Sequence, residues 1–124
     1  VLVQVEWTDV TRTAGCFFFS GPGELGRDDQ LGSTARWYQS AHEVGLVFSP
    51  RIIFRGARTD DQVALSRRSS HDSGGKWDVE EQIGGPIEGG VLRGRYHYSE
   101  CETRRRQSCP GQCVIDATVT VALP

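Results

Sequence analysis

In two segments of this chain, one at each end, every second residue is apolar. Val or Trp occupies every odd position from Val1 to Trp7, and every odd position from Cys113 to Val121 is apolar. A repeat of two residues is typical of a β-strand with one buried face. No segment sustains the 3.6-residue apolar repeat of a helix, apart from a single turn near residues 39–43. We therefore expect an all-β fold with Trp7 in its core.

The rest of the chain fits the same class, because short apolar runs are separated by turn residues. The 124 residues include 15 Gly and 5 Pro. Further strands are predicted at 16–19, 34–38, 44–48, 51–55, 62–67, 77–83 and 91–101. Gly84-Gly85-Pro86 is expected to end the strand at 77–83, and residues 69–76 read as a flexible loop. The pattern predicts a single domain, residues 1–124: an antiparallel β-sandwich, or alternatively a flattened barrel, of about eight strands, stabilised by disulfides.

Two disulfides are expected from four cysteines, Cys16, Cys101, Cys109 and Cys113. Their spacing does not match the paired Cys-x₂-Cys pattern of structural zinc sites. Alternation places Cys113 on the core face of its strand and Cys101 on the solvent face. Of the three possible pairings we prefer Cys16–Cys113 with Cys101–Cys109.

Composition bears on compartment and partners. The chain starts at Val1 and contains no Met, so we expect that a secretory signal peptide has been removed; a removed pro-segment or simple trimming is the alternative. The protein is predicted to be secreted or periplasmic. A net charge of −2 argues against nucleic acid as a first choice of partner, and no apolar stretch is long enough for a transmembrane segment.

The register of the last hairpin follows from matching the apolar faces of its strands. A shift by one residue would exchange the buried and the solvated side chains. The expected core pairs are Tyr98–Ile115, Tyr96–Ala117 and Leu92–Val121, and the expected outer pairs are His97–Asp116, Arg95–Thr118 and Arg93–Thr120.

The outer face of this hairpin is the sharpest candidate for catalysis. Asp116 would orient His97, and Arg93 and Arg95 would hold an anionic group, with Glu100 helping from the rim. Such a set suits a small secreted hydrolase acting on RNA or another phosphodiester. Two observations argue against catalysis. A solvated sheet face carries such pairs for stability alone. The 13 arginines against one lysine suggest the mutational bias of a GC-rich genome rather than selection for binding an anion. A single His also leaves no separate acid and base.

Aromatic residues beside polar loops are candidates for carbohydrate binding. Trp37, Tyr38 and Trp77 could stack on sugar rings, whereas core packing is the alternative for the two tryptophans because Ala35 and Val79 share their faces. The predicted ligand-binding set is completed by Arg95, His97 and Asp116.

Two weaker signals lie in loops. Asp28-Asp29, Asp60-Asp61 and His71-Asp72 offer oxygen ligands but lack a calcium-loop signature, so no metal and no cofactor are predicted. Arg104 to Arg106 lie in the loop 102–108, which could contact a protein partner as an inhibitor or interaction module. More often such a run is a solvated loop tip.

Motifs of common enzymes are absent, among them the Gly-x-Ser-x-Gly elbow, the Walker loop and His-Glu-x-x-His. We therefore expect a secreted, non-catalytic and lectin-like binding module for carbohydrate or another cell-surface component. The hydrolase and the protein-interaction module are the alternatives, and whether the protein is an enzyme stays undecided, with the balance against it.

Overall fold

A computed structural model describes residues 1–13, 32–72, 76–102 and 113–124, and these residues form an all-β structure. Its eight strands are β1 (Leu2–Arg12), β2 (Gly32–Gln39), β3 (Val44–Ser49), β4 (Ile52–Arg58), β5 (Gln62–Asp72), β6 (Lys76–Glu88), β7 (Val91–Glu102) and β8 (Cys113–Ala122). Each strand pairs antiparallel with the next one along the chain. Among the described residues, no helix is long and apolar enough to cross a bilayer.

The sheet is a closed barrel, because β8 also pairs with β1. Val5 lies opposite Val121 and Trp7 opposite Val119, so the two alternating segments at the ends of the chain are neighbours. The expected sandwich is thus replaced by its stated alternative, the barrel. The physical reason is that each apolar face is covered by the strands across the barrel, and pairing β1 with β8 leaves no open edge.

The predicted register of the last hairpin is confirmed at all six positions. Tyr98, Tyr96 and Leu92 lie opposite Ile115, Ala117 and Val121, and His97, Arg95 and Arg93 lie opposite Asp116, Thr118 and Thr120. The first three pairs point into the barrel, and the second three point outward. Burial of the apolar face therefore determines which side chains of β7 and β8 reach solvent.

The interior of the barrel is filled by side chains, as eight strands allow. Trp7 is 2% exposed, as predicted, and its ring meets the ring of Tyr96 edge-on at 5.0 Å between centroids. Phe54 lies 6.4 Å from Tyr96 and 5.7 Å from Phe48. This aromatic cluster fills part of the interior of the barrel.

Close approach of β6 and β7 requires glycine where the two strands cross most tightly. A Cβ on Gly94 would lie 2.2 Å from the carbonyl oxygen of Gly84, and Gly85 has a φ of 152°. The predicted strand end at residues 84–86 is wrong, because β6 continues through them to Glu88. Instead of ending the strand, these glycines let β6 and β7 bend tightly around the barrel.

A second predicted loop also proves to be mostly β-strand. The loop predicted at 69–76 is largely strand, since β5 extends to Asp72 and β6 begins at Lys76.

The segment 16–19 lies outside the described residues, as do Cys16 and Cys109. Neither Cys101 nor Cys113 is a free thiol, and Cys113 lies in the core as expected. The proposed disulfide pairing stays a prediction.

Candidate functional site

The outer face of the hairpin formed by β7 and β8 presents a positioned imidazole. Nδ1 of His97 lies 2.7 Å from Oδ1 of Asp116. A carboxylate only accepts, so Nδ1 carries the hydrogen of this bond and Nε2 is the remaining ring nitrogen. The two side chains are 45% and 37% exposed. Asp116 therefore fixes the orientation of a ring that solvent and ligands can reach.

His97 belongs to a row of outward-facing residues that crosses seven strands. Successive members lie directly opposite one another on neighbouring strands, in the order Tyr38, Gly45, Arg55, Ser66, Gln82, His97 and Asp116. This row joins residues from distant parts of the sequence into one continuous outer surface. It includes three of the six predicted ligand-binding residues.

A groove of about 450 Å³ lies along this row on the outside of β4 to β7. Its polar lining comes from Arg55, Ser66, Gln82, Arg95 and His97. In the next row of the sheet, Ala64 and Gly84 lie opposite each other on β5 and β6, and Arg95 follows opposite Gly84 on β7. Because Ala64 has only a methyl group and Gly84 has no side chain, the outer surface is depressed at this point. A groove of this size matches the lower part of the range for small-molecule sites.

Arg95 stands on one wall of the groove and Arg55 on the other. Nη1 of Arg95 donates a hydrogen bond of 3.3 Å to the hydroxyl of Thr118, which holds the guanidinium over β8. Arg55 faces the hydroxyl of Tyr38. Among the described residues, no carboxylate lines the groove. Arg93, the other arginine of the predicted hydrolase set, lies on the same strand but outside this lining.

Tyr38 provides an aromatic surface next to the groove. Its ring lies over Gly45, where a Cβ would come within 2.3 Å of the ring. Its hydroxyl donates a hydrogen bond of 2.7 Å to Oε1 of Glu43. Partial burial and the Glu43 carboxylate raise the pKa of the Tyr38 phenol, while Arg55 lowers it. These contacts hold the ring against β3.

The other predicted aromatic residues lie elsewhere. Trp37 is 4% exposed and belongs to the core, so it presents no ring face to solvent. The prediction of an exposed Trp37 is corrected, since alternation along β2 directs Tyr38 outward and its neighbour inward. Trp77 is partly buried at the start of β6, opposite Glu102, and is not part of the groove.

Charged residues occur inside the barrel as well. Glu81 is 1% exposed, forms an ion pair with Arg67 and accepts a hydrogen bond of 2.7 Å from the Tyr96 hydroxyl. Glu100, expected at the rim, is buried and accepts a hydrogen bond from Tyr98. These internal groups are partnered, so we assign them to the core structure rather than to a ligand site.

The loop candidates contribute little to the described site. Asp60 and Asp61 lie in the turn between β4 and β5, where Asp61 accepts a hydrogen bond of 3.0 Å from Thr59. Asp28-Asp29 and the Arg104–Arg106 run lie outside the described residues. Within the described part of the chain, no group of three His, Cys, Asp or Glu residues could hold a metal ion.

Sequence reasoning missed Arg55, Ser66 and Gln82, which form the middle of the groove. Each occupies an outward position of its strand, a feature that alternation could have revealed. Their convergence depends on the pairing of β4 with β5 and of β5 with β6. Comparison of the chain with protein-family models, curated proteins and solved structures gives no significant match.

Proposed function

We propose that this protein is a non-catalytic binding module that recognises carbohydrate, or another cell-surface component, in the groove on the outside of β4 to β7. The observation that carries the proposal is the alignment of the Tyr38 ring with Arg55, Ser66, Gln82 and His97 in one row. An aromatic ring can stack on the apolar face of a sugar, and neighbouring hydroxyl, amide and cationic groups can form hydrogen bonds with the sugar hydroxyls.

The groove also favours binding over acid–base catalysis. Of the residues that the structure describes, His97 supplies the one imidazole of the lining, and none supplies a carboxylic acid that could serve as a second proton donor or acceptor. Hydrolysis with a separate general acid and general base needs two such groups near the reacting bond. Asp116 is engaged with Nδ1 of His97 and serves to orient the ring.

A glycan array with wild-type protein and a groove-filling variant tests the proposal. Ala64→Trp places a large side chain on the floor of the groove without removing a polar group, and we expect it to abolish the glycan signals of the wild type. Thr34→Trp, at an exposed outward position of β2, is the matched control and should retain them. Absence of any glycan signal for the wild type, or equal signals for Ala64→Trp, would contradict the proposal.

A phosphodiester hydrolase is the second candidate function, supported by the 2.7 Å contact between His97 and Asp116. In this case Nε2 of His97 would exchange a proton with the substrate, while Arg95 held the phosphate. The discriminating measurement is cleavage of a generic RNA by wild type and His97→Ala. Loss of activity in the variant would support the hydrolase, and equal activity would remove it.

Secretion and the disulfides Cys16–Cys113 and Cys101–Cys109 form part of the same proposal. Two crosslinks suit a small binding module that works outside the cytosol. Peptide mapping of native protein under non-reducing conditions would identify the pairs. Four free thiols would contradict both the pairing and the expected compartment.

A further inference from the structure

We infer that the groove is specific for acidic saccharides, with Arg55 and Arg95 binding a carboxylate or sulfate group on the sugar. This inference rests on the proposed function and specifies the ligand class of the same site. It depends on the charge of the groove, on the partners of its two arginines, and on their separation.

Arg55 and Arg95 give the lining of the groove a positive charge. The described residues contribute two arginines and one histidine to this lining, and no Asp or Glu. Asp116 lies beside the groove, where it bonds His97. This contrasts with the whole chain, whose net charge is −2. A cationic site on a weakly acidic protein selects an anionic group locally and does not attract polyanions over the whole surface.

Within the described part of the chain, the two arginines of the groove have no carboxylate partner in an ion pair. Among the described residues, Arg67 pairs with Glu81 and Arg68 pairs with Glu80 at 2.9 Å, whereas neither Arg55 nor Arg95 forms a salt bridge. The partners that the described residues provide are neutral: Arg95 donates to the hydroxyl of Thr118, and Arg55 faces the hydroxyl of Tyr38. Both guanidinium groups therefore keep donors for the forked hydrogen bonds that carboxylate and sulfate oxygens accept.

The separation of the arginines fits a ligand larger than a free ion. Arg55 and His97 are three strands apart in the same row, which corresponds to about 14 Å along the sheet. Arg95 is two residues from His97 along β7. Ser66 and Gln82 lie between the two walls and offer neutral donors and acceptors to hydroxyl groups. An oligosaccharide can use both the neutral centre and a cationic wall.

The proposed source of the anion is a sugar because Tyr38 borders the groove on the side of Arg55. A free phosphate ion is too small to contact the aromatic ring and to occupy the length of the groove. Nucleic acid would require a more extended basic surface than this groove provides.

The test uses a glycan array that carries neutral oligosaccharides together with uronate, sialylated and sulfated ones. The proteins are wild type, Arg55→Gln, Arg95→Gln and Arg36→Gln. Arg36 is the matched control, because it is exposed and outward-facing on β2 but lies outside the groove. We expect wild type and Arg36→Gln to bind the acidic glycans selectively, and the other two variants to bind them at least tenfold more weakly. Thermal melting of each variant verifies the fold.

Three outcomes would overturn the inference. Equal binding of neutral and acidic glycans would refute the anion specificity but leave the proposed carbohydrate function standing. Acidic binding that is the same in all four proteins would place the anion outside this groove. No binding to any glycan would remove the proposed function and this inference together.

Discussion

The hydroxyl of Tyr96 donates a hydrogen bond of 2.7 Å to Oε1 of Glu81 inside the barrel, while the other carboxylate oxygen of Glu81 pairs with Arg67. Burial strongly disfavours a lone carboxylate. Here β5, β6 and β7 each contribute one member of a three-residue network. The network links the strands whose outer surfaces form the groove, so its stability bears on the shape of the proposed site.

Removal of Arg67 should destabilise the protein severely. Arg67→Met leaves the Glu81 carboxylate buried without its ion-pair partner, which costs about 3–5 kcal/mol of unfolding free energy. The neighbouring Arg68→Met is the control, because Arg68 is 84% exposed and its pair with Glu80 contributes about 0–1 kcal/mol. Urea unfolding followed by tryptophan fluorescence measures both. Similar losses in the two variants would show that the internal pair is not the source of the effect.

Stability should fall at alkaline pH because of Tyr96. Burial, and next the nearby Glu81 carboxylate, raise the pKa of the Tyr96 phenol well above its usual value of 10.0. The folded state therefore keeps a proton that the unfolded state releases, so this stabilisation is complete below about pH 10 and is lost as pH rises toward the folded pKa. Unfolding free energies between pH 8 and 11 should decline less steeply for Tyr96→Phe than for wild type. Identical slopes would exclude Tyr96 as the cause.

Gly94 should tolerate no side chain. The Cβ of Gly94→Ala would collide with backbone of β6, so the strands must separate, and we expect a loss of about 1–3 kcal/mol. Arg93→Ala, at the adjacent exposed position, should change stability by less than about 0.5 kcal/mol. Thermal unfolding compares the two. A Gly94→Ala protein as stable as wild type would mean that β6 and β7 can move apart at no cost.

The ring of Tyr38, rather than its hydroxyl, should matter for glycan binding. We expect Tyr38→Ala to weaken binding about tenfold, which is about 1.4 kcal/mol, because the stacking surface is lost. Tyr38→Phe keeps the ring and should bind within about twofold of wild type. Isothermal titration with a glycan found on the array provides both affinities. If Tyr38→Ala binds as well as wild type, the aromatic surface has no part in recognition.

Predictions from sequence succeeded where burial and register depend on the residue pattern of a single strand or a single hairpin. Alternation along 113–121 and 91–101 determined which residues of β7 and β8 are buried, and hence that His97 faces Asp116. The same alternation placed Trp7 in the core. It did not decide whether Trp37 packs in the core or stacks on a sugar. An apolar ring beside a loop suits both positions, and only the neighbouring strands distinguish them.

The chain by itself determined the all-β class, the inward and outward faces of its most regular strands, and the register of its last hairpin, because a buried apolar face permits only one register. Tertiary structure decided that β1 closes on β8 and that Arg55, Ser66 and Gln82 meet His97 in one groove. Those contacts join segments that are distant in sequence. Their positions follow from the pairing order of the whole barrel, which no local pattern of residues encodes.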